Sequence, residues 1–201
     1  MALLRAFGRR QGNPGTNRWR GVRGLVSVLC LCLTHGGGLA AQSAPTPEYR
    51  LKAVFLFNFA QFVEWPASAF PEADTPLVIG VLGDDPFGTY LDETVRGERV
   101  NDRPLTVRRY RRVEEIGACH ILFISRPEQG HLDQLLDSLK GRSVLTVSDA
   151  ERFASHGGMI GFATERNHIR LRVNLGAARA ANLTISSKLL RPAQIVSTDG
   201  N

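Results

Sequence analysis

Between Glu48 and Trp65, apolar residues fall at Leu51, Val54, Phe55, Phe59, Phe62 and Val63. That three- and four-residue spacing builds one face of an amphipathic helix. Leu56 and Phe57 widen the face, and Trp65-Pro66 ends the helix. The stripe is expected to fill the core. Aromatic side chains also anchor interfaces, so part of it is a candidate partner surface.

From Leu77 the pattern changes to strands and helices in alternation. Leu77–Leu82 is an unbroken apolar run, typical of a strand covered on both faces. Asp85 then reads as an N-cap and Pro86 as the first residue of a short helix carrying Phe87, Leu91 and Val95. Pro104–Tyr110 predicts a second strand, with Leu105 and Val107 alternating against polar neighbours. The nearby Arg108, Arg109, Arg111 and Arg112 suit a solvated edge more simply than a phosphate site, because charges protect exposed edges.

Cys119–Ile124 predicts a third strand. A helix follows whose Leu132, Leu135, Leu136 and Leu139 share one side, with Gly141 as its stop. Val144–Val147 predicts a fourth strand. Ser148-Asp149-Ala150-Glu151 has capping-box spacing, so a helix is expected from there to about His156. Met159–Thr164 and His168–Asn174 form a hairpin through Glu165-Arg166-Asn167. In its second arm Ile169, Leu171 and Val173 point one way, and His168, Arg170 and Arg172 the other. Such alternation means one buried and one wet face. Asn174 caps a last helix reaching Leu183, and Ser186–Leu190 adds a short turn. The alternation implies a single three-layer, Rossmann-like α/β domain. Its sheet is mostly parallel with an antiparallel edge hairpin.

Charge changes the picture at one end. The chain carries a formal net charge of +6, and its first 41 residues hold Arg5, Arg9, Arg10, Arg18, Arg20 and Arg23 with no Asp or Glu. The 25 basic residues less these 6 leave 19, equal to the 19 acidic ones. The excess belongs to a basic leader and does not mark a nucleic-acid surface. Leu25–Leu33 is an apolar run, and Gly38-Leu39-Ala40 is a small-x-small site. About 20 apolar residues are needed to span a bilayer, and a shorter run between such flanks is a secretory signal. Residues 1–41 are therefore read as a signal peptide cut after Ala40 or Ala41, with an uncleaved N-terminal anchor as the alternative reading. A linker at 42–47, a domain at 48–196 and a polar frayed tail at 197–201 follow. The mature chain is expected in the periplasm.

Chemistry is sparse. Cys119 is the one cysteine outside the leader, and within an apolar strand it reads as a buried structural thiol. His120, His131, His156 and His168 lack metal-site spacing, so no metal is expected. Neither a dinucleotide loop, a Walker sequence nor a nucleophile elbow occurs, so neither a cofactor nor a catalytic role is expected. In parallel sheets, ligands sit beyond the carboxyl ends of the strands. Asp84, Ser125, Arg126, Ser148 and Asn174 fall there and are the candidate ligand residues. Each also has a capping role that explains it without a ligand.

Five segments carry a family resemblance. They are Phe62–Pro66, Gly80–Phe87, Cys119–Ser125, Val144–Asp149 followed by Gly157–Ile160, and Leu171–Asn174 with Ile185–Leu190. In that order, from Glu48 to about Val196, they resemble the YfiR family of bacterial periplasmic proteins. The resemblance implies a fold like one lobe of a periplasmic binding protein, often dimeric. It implies a regulator that represses a membrane-bound diguanylate cyclase and is itself sequestered by an outer-membrane, peptidoglycan-associated lipoprotein. A histidine kinase is the alternative partner, and a small-ligand sensor serving a kinase or transporter the alternative role. The single mature cysteine puts any disulfide control in doubt. The expected partner surface is the edge hairpin, with Phe153, Glu165, Ile169 and Leu171 forming an apolar patch with a charged rim. Inward packing of Ile169 and Leu171 is the competing reading.

Overall fold

The computed structural model describes residues 45–198 apart from Asn167, and the backbone alone at 127–129. An eight-stranded sheet runs through the middle in the order β10-β8-β7-β6-β5-β2-β4-β3. Its members are β2 (Leu77–Leu82), β3 (Arg99–Val100), β4 (Arg103–Tyr110), β5 (Ile121–Ile124), β6 (Leu145–Ser148), β7 (Ile160–Glu165), β8 (His168–Asn174) and β10 (Gln194–Val196). Pairing is parallel except at β7–β8 and β3–β4. A two-stranded ladder joins β1 (Val63–Glu64) to β9 (Thr184–Ile185). The helices are α1 (Pro47–Phe62), α2 (Thr89–Val95), α3 (Leu132–Ser138), α4 (Leu175–Ala180) and α5 (Ser187–Leu190). The mostly parallel α/β fold is the expected one.

Every residue of β2, β5 and β6 is buried, as continuous apolar runs require of strands covered on both sides. Ile121 and Phe123 face the larger core with α1, α2, α4 and α5, while Leu122 and Ile124 face a smaller one with α3. A Cβ on Gly80 would stand 2.8 Å from both the Cys119 sulfur and the Tyr110 ring, so only glycine fits there.

Five expectations need correction. α1 buries most of its predicted face, Leu56, Phe59 and Val63 included, but Leu51 and Val54 are exposed, and Lys52 and Ala53 are buried in their stead. α2 begins at Thr89, not Pro86. Asp85 instead accepts a hydrogen bond from Phe87 N at 2.7 Å, closing a tight turn, and Gly88 (φ +54°) takes the N-cap position. No helix follows Ser148. Its Oγ accepts from Ala150 N at 3.0 Å and donates to Ile124 O at 2.7 Å, so the third-residue capping bond is not made. Residues 151–157 form successive turns, with Arg152 left-handed at φ +57°. Finally, the β7–β8 hairpin is one strand in from the edge, because β10 pairs along β8. The last long helix also stops at Ala180, short of Leu183.

Candidate functional site

α1 starts beside the carboxyl end of β6, and that juxtaposition builds the most charged buried cluster among the described residues. Lys52 is fully buried. Its ammonium lies 2.6 Å from Asp149 Oδ2 and 2.6 Å from Glu48 Oε1, one turn back on α1. It sits over the Tyr49 ring at 4.4 Å and the Phe162 ring at 5.9 Å. Tyr49 donates its hydroxyl to Asp149 Oδ2 at 2.8 Å. Arg126 approaches from the end of β5, with Nε 3.4 Å from Asp149 Oδ1. Burying a charge is tolerated where it is paired and hydrogen-bonded, and this lysine is both.

The electrostatics follow from these contacts. Burial alone would raise the Asp149 carboxyl. The Lys52 ammonium, the Tyr49 hydroxyl and Arg126 outweigh it and hold that carboxyl below its ordinary range. The hydrogen bond from Lys52 does the same for Glu48. Burial, then the hydrogen bond to Asp149, pushes the Tyr49 hydroxyl up to about 12. The cluster at neutral pH is therefore a lysine cation shared by two carboxylates.

Beside it lies an open cleft of about 510 Å³, lined by Arg126, Asp149, Gly161, Ala163, Glu165 and Arg172 among others. Of the five candidate ligand residues, only Arg126 lines it. Asp84 is exposed. Ser125 is buried, and its Oγ has no hydrogen-bond partner among the described residues. Ser148 is committed to the turn described above. Asn174 caps α4 through Ala177 N at 3.0 Å and donates to Ala154 O and Thr198 Oγ1, both at 2.9 Å. The set does not converge on one cavity, because its serines and asparagine serve their own chain ends.

The candidate partner residues also divide. Phe153 and Leu171 are buried and offer no surface, Ile169 is half-buried, and Glu165 is exposed in an ion pair with Arg172 at 3.1 Å. Phe153 lies against Gly158, where any Cβ would collide with its ring. Sequence reasoning missed Lys52 and Tyr49 altogether. The signal was present: Glu48 and Lys52 stand four apart at the start of the helix, the spacing of an ion pair.

Two other groups are structural. The Cys119 thiol is buried, and burial pushes it up to about 12, so it remains a thiol. His120 accepts from Val78 N at 3.0 Å through Nδ1, and its Nε2 lies 3.1 Å from Ala69 O. Its ring stacks on Phe70 with centroids 4.4 Å apart. Among the described residues no group of His, Cys, Asp and Glu is placed to hold a metal. Arg109 of the basic cluster is held by Asp85 at 2.6 Å and Asp92 at 2.5 Å, which braces the β2–α2 connection.

The fold and these contacts define a single α/β domain whose strand ends are largely closed by its own caps and whose buried charges are paired. Residues 49–194 match the family model DUF4154, YfiR/HmsC-like, and the chain belongs to that family. The family is one of periplasmic regulators of diguanylate cyclase, and is regulatory rather than catalytic. No curated protein matches the chain.

Proposed function

We propose that this chain is exported to the periplasm and there binds and represses a membrane-bound diguanylate cyclase, lowering cyclic-di-GMP. It has no catalytic activity of its own in this reading. The observation that supports it most is the outer face of α1. Leu51 is 48% exposed and Val54 36%, one turn apart on a helix that spends its buried face on Lys52, Ala53 and Leu56. A regulator acting by contact needs apolar surface that its own core does not use. Half-buried Phe55 borders that pair, and Ile169 and Glu165 are proposed as a more distant rim. The proposed partner is the cyclase's periplasmic domain. Homodimerisation, and release by an outer-membrane, peptidoglycan-associated lipoprotein, belong to the same proposal. So does removal of the leader at 1–41, which lies outside the described residues, as does the tail from 199.

The test is a double substitution, Leu51→Glu with Val54→Glu. Both side chains are exposed, so stability is expected to change by about 0.5 kcal/mol or less for each. Cyclic-di-GMP should rise to the level of a gene deletion while thermal melting stays normal. If deleting the gene leaves cyclic-di-GMP unchanged, the repressor reading fails.

The second reading is a small-ligand sensor serving a histidine kinase or transporter. The open cleft beside Asp149 favours it. That reading predicts kinase phosphorylation or uptake, and not cyclic-di-GMP, to respond to the deletion.

A further inference from the structure

The segment at 66–76, between β1 and β2, lies against the amino ends of β2 and β5 as a strap. None of its residues is buried, and none belongs to either core. Side chains from the sheet hold it. Arg103, at the start of β4, donates to Glu72 O at 2.8 Å and to Thr75 O at 3.0 Å, and stands 4.1 Å from the centre of the Phe70 ring. His120, just before β5, holds the other half. Its Nε2 lies 3.1 Å from Ala69 O, and its ring stacks on Phe70 with centroids 4.4 Å apart. A segment with so few buried contacts opens at lower cost than the core beneath it.

The His120 ring fits its seat in one protonation state only. Val78 N donates to Nδ1 at 3.0 Å, so Nδ1 carries no proton and the Nε2–H donates to Ala69 O. An imidazolium has two donors and no acceptor. A proton on Nδ1 would face the Val78 N–H, and the ring would have to swing out, giving up the Ala69 bond and the Phe70 stack. The surrounding charges do not favour a cation either. Arg103 faces the ring from β4 and adds to the effect of burial in holding its titration below the ordinary range. Arg142, ahead of β6, lines the same small cleft as His120, with its guanidinium bonded to Ile116 O and Gly117 O. Cys119, the neighbour in β5's approach, is a neutral thiol, and the strap's own Glu72 and Asp74 are exposed. Among the described residues no carboxylate pairs with the ring.

We propose that residues 66–76 form an acid-sensitive strap, released from the sheet when His120 takes up a proton while both cores stay folded. The proposal does not rest on the cyclase reading, since it is read on the purified chain. Amide exchange is followed by NMR from about pH 7.5 down to about pH 5, corrected for the intrinsic pH dependence of exchange, alongside titration of the His120 ring. The Ala69, Phe70 and Thr75 amides are hydrogen-bonded within the closed strap. Their protection should fall through the range in which the ring titrates, by about tenfold per pH unit. The Leu122 and Phe123 amides of β5 should stay better protected than the strap at every pH. His120→Asn keeps a carbonyl oxygen to accept from Val78 N but takes up no proton, so protection of its strap should not vary with pH. Three results would each overturn the proposal: strap protection that stays constant while the ring titrates, strap amides as protected as those of β5 so that both open only together, or an unchanged pH dependence in a folded His120→Asn variant. The first two are read on the unaltered chain, so a variant that fails to fold leaves the test intact.

Discussion

Lys52 Nζ lies 2.6 Å from Asp149 Oδ2, and the two side chains are 1% and 2% exposed. This pair joins the first helix to the carboxyl end of a central strand, 97 residues away in sequence. Removing Asp149 leaves Lys52 buried, with Glu48, 38% exposed, as its one remaining counter-charge among the described residues. Asp149→Ala is expected to lose about 3–5 kcal/mol in urea unfolding. Lys52→Met combined with Asp149→Leu should lose less than Asp149→Ala alone, because the charges left without a partner, Glu48 and Arg126, are 38% and 63% exposed and keep their water. An additive double variant would show that the pair is not coupled.

The same pair has a pH signature. The Asp149 and Glu48 carboxyls are held below their ordinary values of 3.8 and 4.5. Between the folded and unfolded values the unfolded chain binds more protons, so stability rises with pH there. Their contribution is fully present above about pH 5 and is lost as pH falls through the folded values. Urea midpoints measured from pH 6 downward should drop, and Asp149→Asn should flatten the lower part of that drop.

His120 acts at higher pH. Burial, the leading cause, holds its ring below the ordinary 6.5, and its Nδ1 accepts from Val78 N. The unfolded chain again binds the extra proton first. Stability present above pH 6.5 should decline as pH falls through the folded value. NMR of the imidazole should show a neutral Nε2–H tautomer at pH 7. A ring already protonated at that pH would refute this account.

Gly80→Ala would push a methyl group into the Cys119 sulfur and the Tyr110 ring. Overpacking of this kind costs about 1–3 kcal/mol. Because the Cys119 thiol is buried, iodoacetamide at pH 8 should leave it unlabelled in the folded protein and label it in urea. Fast labelling of the native protein would place the thiol at the surface.

Short-range chemistry carries most of what was legible in the sequence. Leu77–Leu82 reads as a doubly covered strand because an unbroken apolar run has no wet face, and every one of its residues is buried. The β7–β8 hairpin reads correctly from alternation, and Asn174 from its capping preference. In the same way, the order of strands and helices implies the parallel α/β sheet.

What only the tertiary structure decided involves partners far apart in sequence. Apolar periodicity alone would turn Leu51 and Val54 inward. Asp149 and the Phe162 ring, both distant in sequence, rotate α1 so that a lysine enters the core. The capping box at Ser148 is a sound local signal, yet Ile124 O takes its hydroxyl and Lys52 takes the next carboxylate. β10 covers the hairpin edge because the C-terminal segment returns parallel to β8, and no spacing within three short residues announces that. Sequence determines each element's own preference; the final choice falls to contacts that exist only once the chain has folded.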